Sequence, residues 1–408
     1  LIPLAMRLAQ TPLGQNLLAR LAPGDELKPP FRIENEFLIV EADEKTGALT
    51  VRDRYNLAVY RNLNTFVDGG DCGDEYNYCP PPTDTLVTGR LTSLKVYRRP
   101  VQPTLELTFE LDAPATLSPD RTARSETTTP ITIVSRVSLT PGVPRVDVET
   151  SVDSRASDHR LRVHFPTPFN VQSADYDGHF EVVNRPLELP LHDDSWAEAP
   201  RPEAPQRAFV DVSDGVLGLM IANRGLPEVE VFTNAAGKTE IALTLLRSVG
   251  WLSRDDFSTR KGHAGPALET PDAQMHGQWT FHYAIIPHTT NYLNASQHAY
   301  AFAAPVRAIS ADLHPGPLPA KGAFFSGMPV GFVTSAIKTT EDGRGLLVRG
   351  YNIDSRPVEV TLRPWRAFKK AERVNLDETH QAALKMTTNG TVKFTANGHE
   401  VVSMVFSD

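Results

Sequence analysis

The feature that most constrains the fold is a hydrophobic alternation with a period of two residues, which begins near residue 31 and recurs along the chain. In residues 161–165, Leu161, Val163 and Phe165 share one face of an extended segment, while polar side chains occupy the other. The 33 prolines tend to fall between such runs, as is typical where turns separate strands. Strands that follow one another without intervening helices predict large antiparallel sheets, packed as a sandwich or a barrel.

Several stretches have the form strand, turn, strand. Residues 37–53 predict a hairpin around Gly47, and residues 131–152 predict another with Gly142 in the turn. In the C-terminal part, "KMTTNGTVKFTA" at residues 385–396 is the clearest hairpin signal, because Asn-Gly readily adopts the positive φ angles of a tight turn.

This pattern predicts a mainly β protein with two sandwiches. Residues 31–290 contain enough strands for an unusually large sandwich, and residues 323–408 predict a small separate one. Residues 291–322 begin with an alanine-rich stretch that predicts a helix ending before Pro305, and continue as a linker rich in proline and glycine. Residues 1–30 predict one or two short helices that act as a linker from a missing N-terminal part.

Composition narrows the function classes. The chain has 408 residues and a net charge of −8, which does not favour nucleic acid or an anionic membrane as a partner. Two cysteines exclude a disulfide-dense secreted scaffold but leave the compartment undecided. The first residue is Leu rather than Met, so we expect either a removed segment or a piece of a longer chain.

The segment "DGGDCGDEYNYCPPP" at residues 68–82 concentrates acids, aromatics and the two cysteines. Cys72 and Cys79 lack the short spacing of structural zinc sites, and two unpaired thiols are favoured over a disulfide. The acids are favoured as solvated or as acceptors of backbone N–H bonds, rather than as general acid and base. Tyr76 and Tyr78 are better candidates, because a tyrosine in a rigid loop can stack on a sugar ring and also donate its hydroxyl.

Two other segments carry candidate chemistry. His192 and Asp194 form an H-x-D pair that could hold zinc, but an acidic surface loop is favoured there. Residues 253–277 form a long charged loop between two strands, the kind of loop in which a β scaffold usually carries function. An arginine in this loop, such as Arg260, could hold a carboxylate, a phosphate or a sugar hydroxyl, although a plain surface loop is also open.

Five stretches, taken together and in this order, resemble the C-terminal β region of glycoside hydrolase family 38, the α-mannosidase family. They are residues 63–81, 206–231, 245–277, 278–288 and 345–362. The resemblance implies a large β-supersandwich of the galactose-mutarotase-like kind, followed by a small β-sandwich. It also implies retaining chemistry, which requires two closely placed carboxylates.

In the family the nucleophile, the acid/base carboxylate and a Zn²⁺ ion belong to an N-terminal α/β barrel and helical domain, to which nothing in this sequence corresponds. The resemblance therefore implies a chain that completes the sugar cleft of an absent catalytic domain and is inactive alone. It implies no metal bound by this chain. The implied partners are that catalytic domain and a mannose-containing sugar, with a homo-oligomer open.

The resemblance also implies substrate-binding residues. Tyr76 in "GDEYNY" matches a loop tyrosine that contacts the sugar, and Arg260 in "DDFSTRKG" matches an arginine that orients the sugar or braces the cleft. Asp74 and Tyr78, which flank Tyr76, are predicted with them. Cysteines stand where small or polar residues are expected in relatives, which argues against a thiol function.

Three alternatives stay open at this point. The chain could be a stand-alone carbohydrate-binding β protein, or part of a mannosylglycerate-type hydrolase. It could also be a mutarotase-like epimerase, for which His164, His282 and Glu181 are the candidate residues.

Overall fold

The computed structural model describes residues 26–27, 29–99, 101–256, 258–312, 315–316 and 319–408. Within these ranges β-strands dominate, as the alternation predicts. The predicted helices of residues 1–30 fall almost wholly on residues 1–25, outside the described part of the chain. Among the residues described, no helix has the length and apolar character needed to cross a membrane.

The strands of the N-terminal part, in chain order, are β1 (Glu26–Leu27), β2 (Arg32–Glu34), β3 (Leu38–Ala42), β4 (Leu49–Asp53), β5 (Val59–Leu63), β6 (Thr65–Gly70), β7 (Val87–Thr88), β8 (Arg90–Tyr97), β9 (Thr104–Pro114), β10 (Thr128–Leu139), β11 (Val146–Ser154), β12 (His159–Pro166), β13 (Ser173–Asp177), β14 (Val182–Pro186), β15 (Glu203–Pro205), β16 (Phe209–Ser213), β17 (Leu217–Asn223), β18 (Glu228–Thr233), β19 (Thr239–Ser248) and β20 (Gly277–Thr289). A 3-10 helix spans Pro271–Gln274, and helix α1 spans Tyr292–Ala303. The remaining strands are β21 (Phe325–Ser326), β22 (Phe332–Thr339), β23 (Gly345–Asn352), β24 (Val358–Pro364), β25 (Lys370–Val374), β26 (His380–Ala383), β27 (Val392–Ala396) and β28 (Val401–Ser407).

The N-terminal strands form three antiparallel sheets around one large core. A ten-stranded sheet has the order β1-β8-β9-β10-β11-β20-β17-β16-β13-β14, and a six-stranded sheet has the order β15-β18-β19-β12-β6-β7. Aromatic pairs join these two layers, with ring centroids 5.8 Å apart for Phe165 and Tyr283 and 5.2 Å apart for Phe66 and Phe109. A four-stranded sheet, β2-β3-β4-β5, contributes to the same core. The predicted large antiparallel sandwich is confirmed.

Strand β12 illustrates how the alternation produces this packing. Leu161, Val163 and Phe165 are fully buried in the core, as their shared face predicts. On the opposite face, Arg162 pairs with Glu230, and His164 Nδ1 lies 2.6 Å from Glu240 Oε1. Both of these polar side chains thus have a partner on another strand of the six-stranded sheet, Glu240 on the adjacent β19 and Glu230 on β18 beyond it.

The C-terminal part forms the predicted small sandwich. A three-stranded sheet, β21-β24-β27, faces a five-stranded sheet, β22-β23-β28-β25-β26, across a separate apolar core. Helix α1 begins after Asn291, whose side chain accepts the Leu293 N–H, and it ends before Pro305 as predicted.

Asp177 links the two sandwiches through helix α1. Its carboxylate accepts bonds from the Tyr300 hydroxyl at 2.6 Å and from Arg207 Nε at 3.1 Å. Arg207 also donates to the Tyr351 hydroxyl of β23 at 2.8 Å. The terminal sandwich is therefore joined to the large sandwich by a polar network as well as by apolar contacts.

The predicted hairpin at residues 385–396 is only partly correct. The Asn389-Gly390 turn is present, with φ of 79° at Gly390, but a single bridge between Met386 and Val392 joins its arms. Strand β27 instead pairs with β24. Core burial explains this choice, because Val392 and Ala396 lie inside the terminal sandwich beside β24, whereas residues 380–383 are exposed.

One polar cluster lies inside the main core. The Tyr283 hydroxyl bonds to Asn64 Oδ1 at 2.5 Å and to Thr150 Oγ1 at 2.8 Å, and Asn64 Nδ2 donates to Ser135 Oγ at 3.1 Å. Burial raises the pKa of Tyr283 above its ordinary value, so the phenol stays protonated and can donate. All four side chains are buried, and each has a hydrogen-bond partner within the cluster.

We predict that Tyr283→Phe lowers the free energy of unfolding by about 1–3 kcal/mol, because it leaves buried polar atoms without their partner. Urea unfolding followed by circular dichroism measures this difference. Tyr55→Phe is the matched control, since the Tyr55 side chain is 75% exposed and should change stability little. Equal effects of the two substitutions would contradict the assignment of Tyr283 as a structural hydrogen-bond donor.

Candidate functional site

The loop that follows β6 folds back on itself over residues 71–79. The Cys72 N–H donates to the Cys79 carbonyl at 2.7 Å, and the Asp74 N–H donates to the Asn77 carbonyl at 3.1 Å. A Cβ atom on Gly73 would lie only 2.0 Å from the Asn77 carbonyl oxygen, so this close approach requires glycine. The turn presents Glu75 and Tyr76 at its tip.

Three aspartates of this segment are fully buried, each with an arginine partner from a different part of the chain. Asp68, at the end of β6, pairs with Arg124, and its second oxygen lies 2.5 Å from His159 Nδ1. Of the two alternatives predicted for these acids, solvent exposure is therefore wrong for Asp68, Asp71 and Asp74, whereas acceptance of backbone N–H bonds is correct for Asp71 and Asp74. The local sequence does not indicate that these acids are buried, because their basic partners lie far away along the chain.

Asp71 forms the second pair. Arg247 of β19 donates through Nε at 2.8 Å and lies within 2.7 Å of the same oxygen through its terminal nitrogen. The other oxygen accepts the Gly73 N–H at 3.0 Å and the Cys79 N–H at 3.2 Å, as the sequence predicts for a loop carboxylate. Burial raises the pKa of Asp71 although Arg247 and these amides favour the charged form.

Asp74 and Arg260, both predicted as substrate-binding residues, form the third pair. Arg260 donates to Asp74 Oδ2 at 2.5 Å, and the Arg254 N–H donates to the same oxygen at 2.9 Å. The Asn77 N–H donates to Asp74 Oδ1 at 2.9 Å. Burial opposes ionisation, but these donors outweigh it and lower the pKa of Asp74 below its ordinary value.

Arg260 also connects the long loop at residues 253–277 to the loop at residues 71–79. Its guanidinium donates to the Arg254 carbonyl at 2.8 Å and to the Asn77 side chain, and its Nε donates to the Gly262 carbonyl at 3.1 Å. The side chain is buried. The structure thus brings the two predicted loops together, with Arg260 inside the junction between them.

A serine, a histidine and an aspartate lie in line below this loop. Ser154 Oγ is 3.3 Å from His159 Nε2, and His159 Nδ1 is 2.5 Å from Asp68 Oδ2. These are the residue types of a hydrolytic triad, but all three side chains are buried, and Asp68 is also paired with Arg124. A nucleophile needs access to its substrate, so we assign this chain of bonds a structural role.

Tyr76 and Tyr78 occupy different environments. The Tyr76 side chain is 53% exposed at the tip of the loop, with its hydroxyl directly above Gly265 of the long loop. A Cβ atom on Gly265 would lie 2.7 Å from that hydroxyl, so glycine provides the space. Tyr78 instead lies under Arg160, whose guanidinium carbon is 3.3 Å from the ring centroid, and burial raises the pKa of Tyr78 to about 12.

A cavity of about 350 Å³ opens beside these tyrosines. Its lining comprises Tyr76, Asn77, Tyr78, Glu198, Arg201, Glu203, Ala204, Pro205, Pro227 and Glu228. The sequence did not indicate the contribution of residues 198–205, which have no motif of their own. This segment is brought into place by bridging to the long loop, with the Ala199 N–H donating to the Thr259 carbonyl at 2.9 Å.

A larger cavity of about 600 Å³ lies on the outer face of the ten-stranded sheet. Its central arginine, Arg136, is already bound by Glu106 at 2.9 Å and Glu149 at 3.3 Å on the neighbouring strands. These cross-strand ion pairs are typical of a solvated sheet face. We therefore centre the candidate site on the Tyr76 loop.

The residues considered for an epimerase do not converge. His282 lies on the outer face of the ten-stranded sheet, 4.0 Å from Glu149, whereas His164 contacts Glu240 on the six-stranded sheet. Glu181 follows β13 in an exposed turn. The two histidines thus serve different sheets and have different carboxylate partners.

His192 and Asp194 lie in an exposed loop, as predicted, and the His192 ring contacts the Trp196 ring with centroids 6.4 Å apart. Cys72 and Cys79 are both unpaired thiols, which confirms the favoured alternative for the cysteines. In the part of the chain that the structure describes, no group of three or more His, Cys, Asp or Glu side chains is placed to hold a metal ion.

We predict that Arg260→Met lowers the free energy of unfolding by about 3–5 kcal/mol, because it leaves the buried Asp74 carboxylate uncompensated. The matched control is Arg254→Met in the same loop, whose side chain pairs with the half-exposed Asp256 and should contribute less than about 1 kcal/mol. Urea unfolding at neutral pH measures both.

The deficit of Arg260→Met should shrink as the pH falls through the acidic range to the ordinary Asp pKa of 3.8 and below it, because the loss of Arg260 leaves burial to raise the pKa of Asp74 in the variant. In the unmodified protein the lowered pKa of Asp74 contributes stability that is present above this value and is lost as the pH falls through the folded-state pKa. In the variant, protonation relieves the unpaired charge. A deficit that stays constant between pH 7 and pH 3 would contradict this explanation.

Comparison with known proteins identifies the family. Residues 33–273 match the family described as "Glycosyl hydrolases family 38 C-terminal domain", and residues 331–404 match "Glycosyl hydrolases family 38 C-terminal beta sandwich domain". A protein of Halalkalibacterium halodurans named "Putative mannosylglycerate hydrolase" is 31% identical over 339 residues, which cover 78% of this chain and 36% of that protein.

Two crystal structures from Enterococcus faecalis are also similar. One, of an α-mannosidase, is 27% identical with a TM-score of 0.78, covering 94% of this chain and 43% of that one. The other, of a protein in glycosyl hydrolase family 38, is 26% identical with a TM-score of 0.77, covering 94% and 45%. The chain thus spans less than half the length of each of these relatives. Because the first family match extends over more than half of the sequence, the chain belongs to glycosyl hydrolase family 38, and it corresponds to the C-terminal region of that family.

Proposed function

We propose that this chain is the C-terminal β portion of an α-mannosidase-like retaining glycoside hydrolase. In this proposal the loop at residues 71–80 completes the sugar cleft of a catalytic domain carried outside this sequence. The observation that carries the proposal is Tyr76, an exposed aromatic side chain at the tip of a loop fixed by buried ion pairs. A rigid, exposed tyrosine presents an apolar ring and a hydroxyl to a sugar at little entropic cost.

The four predicted binding residues divide into two roles under this proposal. Tyr76 contacts the sugar, because about half of its surface is exposed at the tip of the loop. Asp74 and Arg260 stabilise the side of the cleft that this loop forms, since their charged groups are buried against each other. Tyr78 packs against Arg160 and lines the cavity beside the loop.

The chemistry of bond cleavage is assigned to the catalytic domain. A retaining glycosidase needs a nucleophilic carboxylate and an acid/base carboxylate about 5–5.5 Å apart on the two sides of the scissile bond. In the loop at residues 71–79, the Asp71 and Asp74 carboxylates already accept hydrogen bonds from arginines and backbone amides, so we assign neither of them to this chemistry. The Zn²⁺ ion that the family implies is likewise assigned to that domain, because the described residues offer no ligand set for it.

The similarity to a protein named as a mannosylglycerate hydrolase favours a second candidate substrate within the same reaction class. A mannosylglycerate-type hydrolase would cleave the same type of mannosidic bond with a small acidic aglycone. Assays of the complete enzyme on mannosylglycerate and on an α-mannose disaccharide, compared through kcat/KM, separate the two.

We predict that Tyr76→Phe in the complete enzyme lowers kcat/KM about fivefold, the equivalent of one hydrogen bond of about 1 kcal/mol. Tyr76→Ala should lower it further, because stacking on the ring face is also lost. Thermal unfolding should be unchanged in both variants, since the side chain is exposed. Tyr55→Phe serves as the exposed-tyrosine control, and unchanged kinetics in all three variants would return the loop to a purely structural role.

We also predict that the isolated chain does not hydrolyse an aryl α-mannoside, even with Zn²⁺ added. Circular dichroism must first establish that the isolated chain retains its β-sheet content. Turnover at an ordinary enzymatic rate would contradict the assignment of catalysis to another domain. Calorimetry with mannose on the same sample tests the stand-alone binding alternative, which requires measurable affinity without the catalytic domain.

A further inference from the structure

Cys72 and Cys79 stand at the two ends of the segment that carries Tyr76. The backbone bond from the Cys72 N–H to the Cys79 carbonyl, 2.7 Å long, holds these two residues opposite each other. One such backbone bond brings the two residues close to each other, as a disulfide requires of the residues that it joins. Both side chains are buried against Leu117, with exposed fractions of 7% for Cys72 and 2% for Cys79.

The two thiols are in contact but are not equivalent. A hydrogen bond from the Cys72 thiol, together with bonds from Ser258 and the charge of Arg201, lowers the pKa of Cys79 to about 7. The same bond to Cys79, together with burial, raises the pKa of Cys72. A thiol of lowered pKa beside a second, protonated thiol is the arrangement of a redox-sensitive cysteine and its resolving partner, and because both side chains are buried the oxidant must be as small as a peroxide.

We propose that Cys72 and Cys79 form a dithiol site that a peroxide oxidises to a reversible disulfide. The Cys79 thiolate attacks one peroxide oxygen, so that an S–O bond forms, the O–O bond breaks, and the departing hydroxide takes a proton to become water. The Cys72 thiol then loses its proton, and its sulfur attacks Cys79, forming the S–S bond and releasing the second oxygen as water. Two thiols are oxidised by two electrons in total, and one peroxide is reduced to two waters.

The disulfide would close a ring over residues 72–79, which contains both the buried Asp74 and the exposed Tyr76. The crosslink would act beside the existing ion pairs and would restrict the motion of the loop tip. The oxidation chemistry stands on the backbone bond between the two residues and on the burial of both side chains in one cluster. Only its consequence for a sugar rests on the proposed function, so the two ideas can fail separately.

Mass spectrometry of the complete enzyme tests the site directly. Trypsin releases residues 62–90 as one peptide that contains both cysteines, because no Lys or Arg lies between Arg61 and Arg90. After treatment of the native enzyme with hydrogen peroxide and alkylation under denaturing conditions, we expect this peptide to lack two hydrogens and to carry no alkyl group. Prior reduction with dithiothreitol should restore two alkylation sites. Two alkyl groups on the peptide from peroxide-treated enzyme would overturn the proposal.

Matched single variants test the roles of the two thiols. In Cys72→Ser, Cys79 should still react with peroxide, and dimedone should trap its sulfenic acid on residues 62–90. In Cys79→Ser, Cys72 should remain unlabelled under the same conditions. Equal labelling of the two variants would overturn the assignment of Cys79 as the reactive thiol. These readouts need no enzymatic activity, so a disulfide that forms while Tyr76→Phe leaves kinetics unchanged would refute the sugar contact alone.

Discussion

The conformation of the segment that carries Tyr76 depends on three buried carboxylates, Asp68, Asp71 and Asp74. A buried aspartate is costly unless a cation and additional donors compensate it, and removal of one partner typically costs about 3–5 kcal/mol. Here each carboxylate has its own arginine: Arg124 from a loop, Arg247 from β19 and Arg260 from the long loop. One short segment is thereby fixed to three separate parts of the large sandwich.

The order of the six-stranded sheet explains why these partners meet. Strand β6 pairs with β12, and β12 pairs with β19, so the loop after β6 lies close to the end of β19 and to the loop that follows it. Asp71 and Arg247 are brought together by this sheet. Arg260 then joins the tip of the first loop to the second, and Gly265 leaves space for Tyr76 above it. The exposed tyrosine is thus positioned by sheet topology and by charge, together with the tight turn that Gly73 and Asp74 allow.

The sequence predicted the sheets well, because the alternation at β12 and the glycine turns at Gly47 and Gly142 depend on local geometry. Through the resemblance to relatives it also predicted that Tyr76 and Arg260 bind a sugar; the two loops do meet, and the sugar contact stays a prediction. The predicted solvent exposure of the acids was wrong, since a glycine-rich acidic loop is usually exposed to solvent and the arginines that compensate the buried charges lie as many as 186 positions away. The pairing of β27 with β24 was missed for the same reason, because a local turn signal does not reveal which distant strand completes a core.

The separation between these charge partners also determines when the loop can become ordered. The ion-pair partner of Asp68, Arg124, lies 56 residues later in the sequence, whereas the partners of Asp71 and Asp74 lie 176 and 186 positions further along the chain. During synthesis, the loop therefore cannot complete these ion pairs until Arg260 has left the ribosome. Contacts between residues so far apart in sequence form late, because the chain entropy lost in closing the intervening segment must be offset first. The surface nearest to the proposed function is consequently among the last parts of the nascent domain to become rigid.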